Sequence, residues 1–380
     1  MMQKSANYIE KSFLPVLIAF NIAGMETLPC PELFKHNYLL LNLWNFPSYL
    51  WALAQILCAL FQLLFLVILP DKKMTFSVTL LILLQGFSNY SVYRSRKLIL
   101  VILKKISTVM KMLPYNKRPK FKTAILAYFV FVTVLVVSFM LLFYPSGGYL
   151  DIKEEIFSSP LISSVQAEYV TILLNILSGI MIIVLLIVCT SSTAFYGFVC
   201  LYIVIFNREL RKQIQNIREN YDDYGSIIDN YLKICNIMEL LEDCMCVSVF
   251  ALVVYSVIGL FWMCYGIIFL FMDGYQYYLC AFIGQVFYSM VIGMVIFPAS
   301  AANNASYAAK EAVRSLPGRI PKHYNEIKII LRRECKQRIA LTLGRIYEID
   351  KSLLISIIGV LMNYGILVAT LGTVKDSDVK

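Results

Sequence analysis

The stretch Glu348–Gly372, E-I-D-K-S-L-L-I-S-I-I-G-V-L-M-N-Y-G-I-L-V-A-T-L-G, decides how the rest of the chain is read. After the charged cluster Glu348, Asp350 and Lys351 it runs 21 residues to Gly372 without another charge. At about 1.5 Å of rise per residue, that length crosses a hydrocarbon core of roughly 30 Å as one helix. Its small and polar residues keep to one face: Ser352, Ser356, Gly359, Asn363 and Thr370 follow steps of four, three, four and seven. Leu367 falls on the same stripe and breaks it with an apolar position. Leu353, Ile357, Val360, Leu361, Tyr364 and Val368 cover the other faces. A polar stripe with one apolar break suits a pore wall that wets and that closes by dewetting. The same small and hydroxyl residues equally suit helix–helix packing in lipid.

Working outward, six further apolar stretches precede this one, at 47–69, 74–93, 123–144, 169–195, 246–272 and 277–299. With 59% hydrophobic and 15% charged residues, the chain reads as an all-α membrane protein of seven transmembrane helices rather than a soluble domain. The fourth stretch is uncharged for 38 residues, Tyr169–Phe206, long enough to hide two spans around Thr190–Thr193. Charge arbitrates. With seven spans and a cytoplasmic N-terminus, 29 of the 34 Lys and Arg fall in the inner segments 1–46, 94–122, 207–245 and 300–351. Segment 94–122 carries ten of them and no acidic residue. Basic loops stay cytoplasmic, so this threading is favoured, with an extracellular tail at 373–380. An eighth span would send the basic 300–351 segment outside.

Residues 1–46 contain an apolar patch, Phe13–Ala23, interrupted by Pro15 and Asn21. That interruption argues against a signal peptide and for a short helix at the membrane surface. Two cytoplasmic regions show helical periodicity. Leu210, Ile214, Ile217 and Tyr221, then Ile228, Tyr231, Cys235 and Met238, mark 207–243. Ile327, Leu331, Ile339, Leu343 and Ile346 continue the rhythm through 324–347, among basic residues. Such seams fit a helix on anionic lipid or a cytoplasmic anchor between subunits.

Catalytic chemistry has no foothold in the sequence. The seven spans hold no Lys, Arg, Asp or Glu, which disfavours ion-coupled transport. The two histidines, His36 and His323, accompany no nucleophile or phosphate loop, so no enzyme and no cofactor are expected. The ten cysteines show no ligand spacing, so no metal is expected; a Cys264–Cys280 bridge is disfavoured. The positive balance is read as inner-loop charge facing lipid, not a nucleic-acid footprint. Asn89-Tyr90-Ser91 and Asn304-Ala305-Ser306 match the glycosylation pattern but fall at or inside the cytoplasmic edge. The outer halves of the spans offer Tyr144, Tyr169, Asn175, Trp262, Tyr265, Phe282, Gln285 and Tyr288 as an aromatic wall with a few amides and hydroxyls. Such a wall suits a small neutral or apolar ligand, and each residue taken singly also suits packing or interfacial anchoring.

The last stretch also carries a resemblance. Asn363-Tyr364, the five residues Gly365–Ala369 and Thr370-Leu371 are similar in register to the Thr-Tyr, five apolar, Gln-Phe ending of the arthropod gustatory and odorant receptor superfamily. Asp350-Lys351-Ser352-Leu353 resembles that family's approach to the span, and Tyr364 is the motif residue kept outright. The inverted seven-span threading resembles the family throughout, and it departs from G-protein-coupled receptors. Their Asp/Glu-Arg-Tyr after span three is replaced here by Tyr144-Pro145-Ser146, and Asn-Pro-x-x-Tyr is missing from span seven. The resemblance implies a tetrameric, homomeric or heteromeric, ligand-gated cation channel in the plasma membrane of chemosensory neurons. It implies spans one to six (47–299) as the ligand-binding region for a tastant or odorant, and anchor helices in 300–351. It also implies a pore lined by 352–372 through Ser356, Asn363, Leu367 as the gate and Thr370 in place of Gln. A G-protein-coupled receptor and a small-solute transporter are the other classes weighed.

Overall fold

The structure is a computed structural model that describes residues 2–23, 72–113, 121–143, 164–217, 224–269, 275–334 and 339–377, with residues 49, 51, 53, 56 and 57. The first apolar stretch, 47–69, and Tyr144 therefore lie outside the described residues, apart from those five positions. The helices are α1 (Met2–Ile22), α2 (Lys72–Arg94), α3 (Arg96–Met112), α4 (Phe121–Phe143), α5 (Ser164–Gln215), α6 (Tyr224–Phe269) and α7 (Tyr275–Arg314). They continue with α8 (Leu316–Arg319), α9 (Tyr324–Glu334) and α10 (Lys351–Ser377); a two-stranded hairpin, β1 (Thr342–Leu343) and β2 (Tyr347–Glu348), precedes α10. Among the described residues four helical segments are long and apolar enough to cross a membrane: Phe121–Leu142, Ile187–Gln215, Tyr224–Tyr265 and Tyr278–Arg314.

The long helices overrun a membrane. At 52, 46 and 40 residues, α5, α6 and α7 measure about 78, 69 and 60 Å, at least twice the hydrocarbon thickness. Thr190–Thr193 do not break α5. Ser191 and Thr193 return their hydroxyls to the carbonyls of Ile187 and Cys189 at 2.5 and 2.6 Å, which satisfies them inside the helix. Tyr128 of α4 shares a 2.7 Å hydrogen bond with Thr193.

The core gathers around the second half of α5. From Val188 to Cys200 every residue is buried, so this helix is enclosed on all sides. Its neighbours contribute Ile99, Ile102 and Ile106 of α3, Ile237 and Leu241 of α6, and Val295 and Ile296 of α7. The α3 helix alternates that apolar face with exposed Lys97, Lys104 and Lys111. The α1 helix lays Ile9, Phe13, Val16 and Phe20 into the same core, with Phe13 edge-on to Phe195 at 6.1 Å and near Tyr202 at 5.9 Å. Leu14, Ile18 and Ile22 form its exposed side.

One expectation is overturned. The seam through 324–347 is not one helix: Ile327 and Leu331 are buried on α9, but Leu343 lies on a strand and Ile346 is 84% exposed at a turn. The reason is the Leu343–Ile346 turn. Gly344 and Arg345 both take positive φ, 63° and 61°, as the primed hairpin turns require. A Cβ at Gly344 would also press on the Phe250 ring at 3.3 Å. In the 207–243 region Leu210 and Ile214 are buried on α5 and Ile228, Tyr231, Cys235 and Met238 are buried on α6, but Ile217 lies past the end of α5 and is half-buried. Tyr221 is outside the described residues. Cys264 and Cys280 are free thiols.

Truncating Phe13 to Ala removes a fully enclosed ring and should cost about 3 kcal/mol, whereas Ile18→Ala on the exposed side should cost far less. Thermal unfolding of the purified protein in detergent checks the difference.

Candidate functional site

The last helix starts on a designed cap. Asp350 Oδ1 accepts the Leu353 backbone N–H at 3.1 Å and the Ser352 hydroxyl at 2.7 Å. This is an N-cap reaching the third helical residue. Tyr347 and Ser352 share a further hydrogen bond at 3.0 Å. The Ser352 hydrogen bond, ahead of the backbone ones, holds the Asp350 carboxyl below its ordinary range. The Asp-Lys-Ser-Leu sequence is therefore the physical start of α10.

The hairpin that delivers this cap is pinned to two long helices. From α7, the buried Asn303 side chain donates to the carbonyls of Leu341 and Ile349, each at 3.0 Å, and accepts the Leu341 N–H at 2.8 Å. One amide thus closes both ends of the hairpin. Tyr307, one turn further along α7, donates to the Glu348 carboxylate. From α6, Glu242 accepts the Thr342 N–H at 3.0 Å and also its hydroxyl, while Asp243 pairs with Arg345 at 2.6 Å. Burial pushes the Glu242 carboxyl above its ordinary range, with the Thr342 hydrogen bonds opposing it. The left-handed backbone of Arg345 is costly for a residue with a Cβ, and its ion pair with Asp243 fixes the side chain across that turn.

Beyond the hairpin, α10 packs one edge on the body through Leu353, Leu354 and Ile357. Ser356 and Asn363 lie about a third of a turn round from that edge and are exposed. Ser356 returns its hydroxyl to the Ser352 carbonyl at 3.1 Å. Ile355, Ile358, Val360 and Met362 flank the stripe and are likewise exposed, at 72, 52, 48 and 61%. Tyr364, Leu367 and Thr370 fall within α10, and helical register carries Leu367 and Thr370 along the Ser356–Asn363 stripe.

The outer aromatic residues divide into two groups. Trp262 and Tyr265 of α6 meet edge-on at 5.7 Å, and Gln285 of α7 donates to Cys264 at 3.5 Å. Tyr288 of α7 packs against Tyr255 at 5.5 Å, its ring set so closely over Gly259 that a Cβ there would stand 2.4 Å from it. That contact makes Tyr288 a spacer between α6 and α7 as well as a wall residue. Tyr169 and Phe282, by contrast, are 71 and 58% exposed. Asn175 lies within α5.

Sequence reading missed the latch formed by Asn303, Tyr307, Glu242 and Thr342. Its one legible signal was Asn303-Asn304 in an otherwise apolar and small-residue run, where the glycosylation pattern drew attention to the exposed Asn304 instead. Among the described residues, no group of His, Cys, Asp and Glu could hold a metal ion.

Asn303→Ala strands a buried N–H and two carbonyls, which should lower stability by about 2–4 kcal/mol and speed amide exchange across 341–349; Asn304→Ala should do neither. Asp350→Ala should cost about 1 kcal/mol and fray 351–354, with Asp350→Asn nearly neutral, as hydrogen exchange would report. Because the Asp350 pKa is lowered, the cap's stabilisation is full above the unfolded value near pH 4 and is lost as pH falls through the folded one.

A sequence model of the family described as 7tm Chemosensory receptor matches residues 72–368. Comparison with curated proteins gives no match. Among solved structures, the fold is similar to the insect olfactory receptor OR5 from Machilis hrabei, with a TM-score of 0.66 at 14% identity over 96% of this chain and 98% of that one. The same receptor in complex with eugenol superposes with a TM-score of 0.62 at 14% identity, over 96% of this chain and 99% of that one. The likeness establishes a shared helical architecture from end to end, and the family match spans all the long helices from α2 to α7 and most of α10. The chain belongs to the 7tm chemosensory receptor family.

Proposed function

We propose that this receptor is a ligand-gated, non-selective cation channel in the plasma membrane of chemosensory cells, assembled as a tetramer around α10. The observation that carries the reading is the placement of α10. It leans on the body by one edge and leaves the Ser356–Asn363 stripe, about a third of a turn round, uncovered. In a ring of four subunits that stripe faces the axis. Leu367 forms the apolar constriction and Thr370 a hydroxyl ring one turn on. The exposed Ile355, Ile358 and Met362 then meet lipid or a neighbouring subunit.

The threading has seven spans, a cytoplasmic N-terminus and an extracellular tail, supported by the Lys and Arg of 94–122 and 300–351. A small neutral or apolar organic molecule, of the kind that eugenol represents in the similar olfactory receptor, binds between the outer halves of spans two to six. Trp262, Tyr265, Gln285 and Tyr288 line the α6–α7 side of that chamber. The latch residues Glu242 and Asn303 lie on the same two unbroken helices, 20 and 18 residues from Trp262 and Gln285, or about 30 and 27 Å. A ligand that spreads α6 from α7 moves both attachments of the hairpin and with them the start of α10. For that motion to open the channel, the ligand must bind the open arrangement more tightly than the closed one.

Cysteine placed at Leu367 or Thr370 should react with aqueous thiol reagents at a rate that changes on ligand application, recorded as a change in current. Indifference at both removes them from the conduction path. An N-terminal epitope tag should stain only after permeabilisation; staining of intact cells would reverse the threading and favour a G-protein-coupled receptor.

A further inference from the structure

The end of α7, α8 and the face of α9 border an open groove of about 660 Å³ lined by Arg314, Ser315, Pro317, Gly318, Tyr324, Lys328, Leu331 and Arg332. Three cations converge on it and, among the described residues, no carboxylate lines it. On α9, Tyr324, Lys328, Leu331 and Arg332 share one face by their spacing of four, three and one. The acidic Glu326 falls on the other side, 3.4 Å from His323. Lys328 reaches the Tyr324 hydroxyl at 3.2 Å and lies 5.0 Å from its ring centroid. Arg314 and Arg332 have no ion pair or side-chain hydrogen bond among the described residues, and both are exposed.

Basic residues at helix C-termini are ordinary, since they answer the helix dipole. Here the last turns of two helices aim theirs into one concavity, where like charges repel unless an anion joins them. The floor is different in kind. Pro317 is buried, Leu331 nearly so, and Tyr324 presents part of its ring. The volume lies in the range of small-molecule sites.

We propose that this groove is a cytoplasmic binding site for a small organic polyphosphate. Its phosphates meet Arg314, Lys328 and Arg332, and its carrier lies on Tyr324 and Leu331. Arginine forks suit phosphate oxygens geometrically as well as electrostatically. A lipid headgroup shares this chemistry. Distance favours a soluble source: Arg314 lies 15 residues past Ala299, the inner end of the sixth span, or about 22 Å along α7. The site shares α7 with the latch residues Asn303 and Tyr307, with Arg314 11 residues past Asn303, or about 16 Å along the helix. It does not require that the protein conduct ions.

The test is binding of inositol hexakisphosphate, ATP and inorganic phosphate to the purified full-length receptor at physiological salt, by calorimetry and thermal shift. A parallel arm uses lipid nanodiscs with and without phosphatidylinositol 4,5-bisphosphate. Saturable binding of an organic polyphosphate, weakened about tenfold or more in the double variant R314A/R332A, is expected. Gly318→Trp should abolish it, since a Cβ at Gly318 meets nothing within 4 Å and a larger side chain can enter the groove. If that variant lowers the melting temperature without ligand, the double variant alone decides. The triple variant K97A/K104A/K111A, on the exposed face of α3, should bind as the native chain does. Tighter binding in the free arm assigns a soluble ligand, and binding only in nanodiscs containing the phosphoinositide assigns a headgroup. The proposal is overturned by absence of binding in both arms, by binding indifferent to R314A/R332A, or by loss in the α3 variant. Cross-linking that seats another subunit's acidic segment in the groove overturns it as well.

Discussion

Lipid supplies almost no hydrophobic force between helices, because hydrocarbon tails are as apolar as the side chains that would leave them. A bundle of helices in lipid therefore has to place much of its cohesion elsewhere. Here α5, α6 and α7 run well past the width of a bilayer, and the continuous core occupies their shared end. Val188–Cys200 is enclosed on all sides there, and α1 and α3 close over it. The α4 helix shows the same division along its length: Ile125, Tyr128 and Val132 are buried, while Val134, Val137 and Leu141 are exposed. In the threading proposed for the chain, that end is cytoplasmic and water drives its burial.

This division explains how a small latch gains leverage. Among the described residues the last helix meets the body through few apolar side chains, chiefly Leu353, Leu354 and Ile357, so the start of the helix rests on the hairpin before it. The hairpin in turn rests on hydrogen bonds formed where water is excluded. Asn303 is 3% exposed and Leu341 and Ile349 are fully buried, so each of its three bonds replaces hydration that is already lost. Glu242 is the harder partner to bury, as its raised carboxyl pKa attests. Thr342 compensates with two donors. A joint of this kind resists stretching but transmits rotation of α6 against α7, because each helix holds a different atom of the same short turn.

The long helices were legible because their apolar runs are long, but their ends were not, since α5, α6 and α7 run on through charged residues such as Arg208–Lys212, Asp229–Asp243 and Lys310–Glu311. The central helix read correctly as one piece once charge ruled out a second span at Thr190–Thr193. The hairpin was not legible. Ile339, Leu343 and Ile346 prolong the α9 period by coincidence, and Gly344 alone is too weak a cue against it. What decides is tertiary: Phe250 leaves no room beside Gly344, and Asp243 waits for Arg345. Asn303 was hidden for a related reason. It has the same chemistry as Asn304, and only burial against the hairpin separates them.

The candidate chamber follows the same logic from the opposite side. Spacing put Trp262, Tyr265, Gln285 and Tyr288 on facing helices, but it could not say how closely those helices approach. Gly259 sets that distance, since the Tyr288 ring occupies the volume that a side chain there would fill. Gly284 does the same for Met263, whose sulfur stands 2.8 Å from the position of a Cβ. Large flexible or aromatic groups seated on glycines are contacts that part readily, because little interlocks on the glycine side. In the function proposed for the chain, a ligand that displaced either ring or thioether would widen the α6–α7 seam at its outer end. The tightly packed inner end would then be the fulcrum, with the latch residues Glu242 and Asn303 on the same two helices.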